Sequence, residues 1–160
     1  MEKTKLIAIK DLQNQGKSTT IWLLVFTMVK RLHAEVIRLY NQNTEEEIKE
    51  LPETIPAGED MYDIYAELKW NGNLIIIFSR GDYPDCLVGD INWALKSHPA
   101  YIVCAIQMRP INRDIWNAFN IAFPNTKFER VFWGVDNAKD ETNALSVKEP
   151  TVKAIIKYMA

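Results

Sequence analysis

Apolar and polar positions along the chain fall into short blocks, and the spacing within each block assigns it an element. Leu6-Ile7-Ala8-Ile9 is a continuous apolar run and predicts a strand over 5–10. Ser18 to Val29 is uncharged and largely apolar between Lys17 and Lys30, which predicts a helix from Lys17 to about Leu32, buried on most sides. EVIRLY, Glu35 to Tyr40, reads as a short second strand. Thr44 and Glu47 stand at capping-box spacing and predict a small helix reaching Leu51, where Pro52 stops it. Residues 52–60, PETIPAGED, have loop composition.

The second half has a more regular rhythm. In Asp63 to Trp70, DIYAELKW, the residues Ile64, Ala66, Leu68 and Trp70 alternate with Tyr65, Glu67 and Lys69. Asn71-Gly72 then supplies a type I′ turn, and LIIIF, Leu74 to Phe78, predicts a returning strand buried on both faces. Asp85 is placed to cap a helix to about Ser97, with Leu87, Ile91, Ala94 and Leu95 on its apolar face. YIVCAIQM, Tyr101 to Met108, is another buried strand. A helix opening near Pro110 and Asn112 would carry Ile111, Ile115, Ala118, Phe119 and Ala122 inward and end at Pro124. Lys127 to Val135 predicts the last strand. Pro150 predicts the start of a final helix with Val152, Ile155, Ile156 and Met159 facing the core. Strands alternating with helices make this an α/β chain, one domain over 1–160, with a mostly parallel central sheet and one antiparallel hairpin strand.

Composition changes little in this picture. The chain has 160 residues, 48% of them hydrophobic, which suits one domain with a real core. A formal net charge of −2 gives no electrostatic reason to expect nucleic acid. Cys86 and Cys104 form no C-x-x-C pair and have no zinc spacing with His33 or His98, so they read as buried free thiols of a reducing, cytoplasmic setting. The start of the chain passes straight into strand pattern, without the look of a signal peptide. The most apolar stretch, Ser18 to Val29, falls short of the roughly twenty residues that cross a bilayer, so no membrane partner is expected. The tryptophans Trp22, Trp70, Trp93, Trp116 and Trp133 fall in predicted elements, where core packing is the default over base stacking.

Chemistry enters between the first strand and the first helix. Gly16-Lys17-Ser18 fill the last three places of G-x-x-x-x-G-K-[ST], and Asp11 stands at the first glycine position. Backbone N–H groups in such a loop form a concave nest for phosphate oxygens, and the following helix adds its positive end. The stretch resembles the phosphate-binding loop of the P-loop NTPases. The likeness is specific over roughly the first thirty residues and architectural beyond them. It implies a three-layer P-loop NTPase-like sandwich. It further implies that Asn14, Gln15, Gly16, Lys17, Ser18 and Thr19 contact phosphate or metal, with Lys17 on the β- and γ-phosphates and Ser18 on Mg²⁺. The early antiparallel strand is similar to the GTPase branch of these proteins.

A second metal-binding element is expected where the LIIIF strand ends. Ser79 stands there, and Asp82 follows three residues later as a Mg²⁺-water partner or a helix N-cap. Arg80, Arg109 and Arg113 each follow an apolar strand or open the next helix, so the fold would converge them on phosphate near Lys17. Asp82 and Gln107 are the candidates for positioning a base or water. The run Asp136 to Asp140 lacks the Asn-Lys-x-Asp order, so guanine specificity has no support, and a surface loop is the stronger reading. The expectation is an ATP- or GTP-binding protein with Mg²⁺ and weak NTPase or phosphotransfer chemistry. The alternative is a degenerate P-loop scaffold acting through a protein partner. A small-molecule kinase ranks last, for want of an arginine-rich lid segment.

Overall fold

The computed structural model describes residues 3–11, 17–80, 84–107, 113–125, 127–134 and 144–160. Side chains are described over the same ranges except at 11, 17, 107, 113–114, 133–134 and 144–148. Six strands form one sheet: β1 (Lys5–Asp11), β2 (Glu35–Asn41), β3 (Ile64–Trp70), β4 (Asn73–Phe78), β5 (Tyr101–Gln107) and β6 (Glu129–Gly134). Their order is β2-β3-β4-β5-β1-β6. The β4–β5, β5–β1 and β1–β6 pairs are parallel, whereas β3 runs antiparallel to both its neighbours. Asn71 and Gly72 join β3 to β4 with φ of 51° and 77°, the two positive values a type I′ turn requires.

The continuous apolar runs explain the layering. Successive strand residues point to opposite faces, so a strand apolar at every position needs cover on both sides. Ile7, Ile9, Ile75, Ile77, Val103 and Ala105 face one way and meet α1 (Lys17–Phe26) and α4 (Ala144–Met159) through Trp22, Val25, Val152 and Ile155. Leu6, Ala8, Ile76, Phe78, Ile102 and Cys104 face the other and meet α2 (Pro84–Leu95) and α3 (Arg113–Ala122) through Leu87, Ile91, Ile115 and Phe119. Burial raises the Cys104 thiol to about 12, so it stays protonated and packs as a small apolar group. Cys86 is only half-buried, contrary to the expectation of two buried thiols.

Several expected elements differ. The Thr44–Leu51 helix does not form. Asn41 Oδ1 accepts the N–H groups of Asn43 (2.9 Å) and Thr44 (3.2 Å), and Thr44 Oγ1 accepts that of Glu46 (3.3 Å). These side chains give the backbone an alternative to helix, and Glu45 turns the chain at φ 63°. The chain then runs back along β2: Asn41 N–H donates to the Glu46 carbonyl and Ile48 N–H to the Leu39 carbonyl, with Tyr40 opposite Glu47. The long first helix is α1 followed by a turn of π-helix, Thr27–Arg31. The Thr27 hydroxyl donates to the Leu23 carbonyl at 2.8 Å where the widening begins, and His33 reverses the chain at φ 57°.

In β3 the alternation gives way to burial on both faces: Tyr65 and Glu67 are as inaccessible as Ala66, because α2 covers the Tyr65 side and Arg38 pairs with Glu67 at 3.4 Å. Trp93 is 43% exposed and so is no core residue. Leu95 is half-buried and Ala122 exposed at the ends of their helices, and Ala118 is half-buried. Ile111 and the 136–140 run lie outside the described residues. Among the described residues no helix is long and apolar enough to cross a membrane.

Pro150 does not start α4 but lies inside it, on the exposed side. Its position forfeits one interior hydrogen bond, which the buried Val152, Ile155 and Met159 beyond it offset. Pro150→Ala is therefore expected to stabilise the protein by roughly 1–3 kcal/mol in urea denaturation. A loss of stability would place the helix start at Pro150 after all.

Candidate functional site

Parallel strands bring their carboxyl ends to one edge of the sheet, where ligands bind in open α/β folds. Here that edge carries the ends of β1, β2, β4, β5 and β6 and the beginning of β3. The last residue of β1, Asp11, is in register with Gln107 at the end of β5, so Gln107 reaches the edge where it was expected. From Asp11 the chain takes five residues, 12–16, to reach Lys17, the first residue of α1. Ser18 and Thr19 are half-buried in the first turn of α1, which contains no acidic residue, and Thr20 is buried. The positive end of α1 thus begins six residues along the chain from an interior strand end. One residue before Asp11, the Lys10 ammonium lies 5.1 Å from the Trp116 ring centre and 4.6 Å from that of Phe132, on the α3 side.

Asn14, Gln15, Gly16, Asp82 and Arg109 lie outside the described residues. Lys17 and Arg113 open α1 and α3, and their side chains also lie outside the described set. Ser18, Thr19 and Arg80 are described in full. Arg80 does not join Lys17. One strand, β5, separates β4 from β1, which puts the two strands about 10 Å apart across the sheet. The guanidinium also turns the other way, toward β2 and α2. Its Nε and Nη2 donate to the two Asp90 carboxylate oxygens at 3.1 and 2.7 Å, and Nη1 donates to the Gln42 carbonyl at 3.2 Å. This two-pronged bond to Asp90 raises the Arg80 pKa despite partial burial.

The rest of the β4 end is equally committed. Ser79, 1% exposed, donates its hydroxyl hydrogen to Asp63 Oδ1 (3.0 Å) and accepts the Ile64 N–H (2.9 Å), which fastens β4 to the start of β3. Gln42 donates its amide to Asp90 (3.1 Å) and accepts the Arg80 N–H (3.0 Å), and its own N–H goes to the Asp63 carbonyl (2.8 Å). Asn43 and Asp63 exchange two further bonds. Ser79 thus acts as a staple between strands at the place where a metal-binding Asp was sought. Among the described residues no group of three His, Cys, Asp or Glu side chains could hold a metal ion.

Beside this lattice opens a cavity of about 290 Å³. Tyr40, Tyr65 and Trp93 line one part of it, and Asn41, Gln42, Glu45, Arg80 and Asp90 line the rest. Tyr65 is stacked on Phe78 at 5.9 Å and 12°, and its ring centre is 4.8 Å from Trp93. Burial, with the charges of Glu67 and Asp90, pushes the Tyr65 pKa up, so the phenol stays protonated. Sequence reasoning missed this cavity. Its residues come from β2 and the turn after it, from β3, from the end of β4 and from α2, and no local spacing joins them. The one available signal was Asp90, a poor helix former inside a helix beside Ile91.

Removing Asp90 would leave the Arg80 guanidinium without its two-pronged partner. Asp90→Ala is expected to cost roughly 1–3 kcal/mol, and a double-mutant cycle with Arg80→Ala should give a coupling of about 1 kcal/mol or more. A coupling near zero would reduce the pair to a surface contact. Set against known proteins, no family model, no curated protein and no solved structure matches the chain.

Proposed function

We propose that the chain binds a nucleoside triphosphate, ATP or GTP, with Mg²⁺, at the junction of β1 and α1, as a P-loop NTPase-like sandwich. One observation carries the reading. An interior parallel strand passes through five residues into a helix that opens with Lys17-Ser18, and Gly16 directly precedes it. That geometry suits an anion: helix N–H groups face the sheet edge, and no carboxylate in the first turn of α1 opposes it. Gly16, Lys17 and Thr19, with Asn14 and Gln15, would hold the phosphates, and Ser18 with Asp82 would hold Mg²⁺. Bound there, Mg²⁺ would neutralise phosphate charge and support weak hydrolysis or phosphotransfer. Arg109, two residues after β5 in the sequence, and Arg113, the first residue of α3, are the remaining phosphate candidates.

A second reading, a degenerate scaffold working through a protein partner, draws support from a different observation. The β4 end, where a P-loop enzyme would keep a metal-binding carboxylate, holds Ser79 and Arg80, and both are consumed by internal bonds.

Titration calorimetry with Mg-ATP and Mg-GTP tests the first reading. Binding is expected for at least one of them, weakened tenfold or more in Lys17→Ala and tightened in Asp11→Gly, which removes a negative charge beside the polyanion. Absence of heat with both nucleotides at millimolar concentration would overturn it. Turnover that disappears in Lys17→Ala would overturn the scaffold reading.

A further inference from the structure

The cavity between β2, β3 and α2 is distant from the β1–α1 junction. The β2 and β1 strand ends are four strand spacings apart, about 19 Å. It therefore does not serve the nucleotide reading and needs its own account. Its aromatic part comprises three rings with centres 6.4 Å (Tyr40–Tyr65), 6.4 Å (Tyr40–Trp93) and 4.8 Å (Tyr65–Trp93) apart. Their planes are inclined at 44°, 53° and 50°. A flat heterocycle needs two nearly parallel faces to stack between, and no pair of these three rings provides them. A rounded group needs no parallel faces and can rest on a single accessible ring, and of the three Tyr40 is half-buried and Trp93 exposed.

The polar part decides the charge of that group. Arg80 and Asp90 neutralise each other at 2.7 Å. The Glu45 carboxylate has no partner among the described residues, so the lining carries an excess negative charge. Most of its hydrogen-bonding capacity is already used. Both ends of the Gln42 amide, both Asp90 oxygens and Asn41 Oδ1 are bonded within the protein. A ligand head that brought many N–H donors would find few free acceptors. Ring faces attract cations through the ring quadrupole, and they do so best when the cation is weakly hydrated and makes no hydrogen bonds. Tyr65 adds a second requirement. It is 4% exposed, it lines the cavity, and its hydroxyl has no hydrogen-bond partner among the described residues. A buried donor of this kind calls for an acceptor oxygen from water or ligand.

We propose that this cavity is a binding site for a small quaternary ammonium compound bearing an oxygen function, with the alkylated nitrogen against Tyr40 and Trp93, Glu45 as counter-charge, and the oxygen on the Tyr65 hydroxyl. The cavity volume accommodates a trimethylammonium head with a two-carbon arm. Glu45 owes its place to the left-handed turn after β2, the same turn that replaced the expected helix.

The test is calorimetry on the full chain with choline chloride and with 3,3-dimethylbutan-1-ol, its uncharged carbon analogue of the same shape. Choline is expected to bind with Kd on the order of 1 mM or tighter, and the alcohol about tenfold more weakly or worse. Trp93→Ala and Glu45→Gln, both at exposed positions, should each weaken choline at least threefold. Glu45→Gln changes charge without changing packing, so it answers even where Trp93→Ala alters the fold. Equal binding of choline and the alcohol would overturn the proposal in favour of a merely apolar pocket. No choline binding up to about 50 mM, a range that covers even a single weak cation–π contact, would overturn it outright. Displacement of choline by adenosine at lower concentration would overturn it in favour of a planar heterocycle.

Discussion

Simultaneous burial of both faces of the central strands is the interaction from which the other features follow. Leu6 to Ile9, Ile75 to Phe78 and Ile102 to Ile106 are all fully inaccessible. At about 25 cal/mol per Å² of apolar surface, each Leu, Ile, Val or Phe among them contributes roughly 1.5–3 kcal/mol, but only when a helix covers the face it points to. Two helical layers are therefore obligatory, and the crossovers that supply them keep four neighbouring strands parallel. The parallel arrangement in turn gathers strand ends and helix starts on one edge. Both the β1–α1 junction and the aromatic cavity are products of that single constraint.

The same physics separates what could be read in the sequence from what could not. The apolar runs announced β1, β4 and β5 because burial on both faces leaves no polar residue to confuse the pattern. Asn71-Gly72 announced the hairpin because few dipeptides accept two positive φ values. Local rules failed where a side chain had a non-local or competing partner. The Thr44–Glu47 pattern met the helix-start rule, yet Asn41 captured the N–H groups first. Pro150 looked like a helix start, but the packing of Val152, Ile155 and Met159 carries the helix through it. Of the candidate site, β1 and α1 were legible as strand and helix. The fate of Arg80 was not: its partner Asp90 lies ten residues away on α2, and Gln42 lies thirty-eight away after β2.

The two regions on the carboxyl edge differ in how their polar groups are used. Around Ser79, Arg80, Gln42, Asp63 and Asp90 the donors and acceptors satisfy one another, and the result is a rigid joint between β2, β3, β4 and α2. Such a network stabilises through completeness, since any unpaired member would carry the full cost of burial. Rigidity there fixes the inclination of the Tyr40, Tyr65 and Trp93 rings, which are anchored on the same elements. The cavity is thus held open by a lattice whose Gln42, Arg80 and Asp90 also form part of its wall.

The stretch that folds back on β2 has a further consequence, for behaviour in concentrated solution. An outermost strand exposes unpaired amides and carbonyls that can template stacking with other copies. Here the backbone of Leu39 and Asn41 is already engaged by Glu46 and Ile48. The uncovered half of the strand contains Val36 and Ile37 but is interrupted by an irregularity between Val36 and Arg38 and flanked by charged Glu35 and Arg38. Fibre growth along this side would have to displace one segment and straighten another, so the chain protects its own margin against runaway self-association.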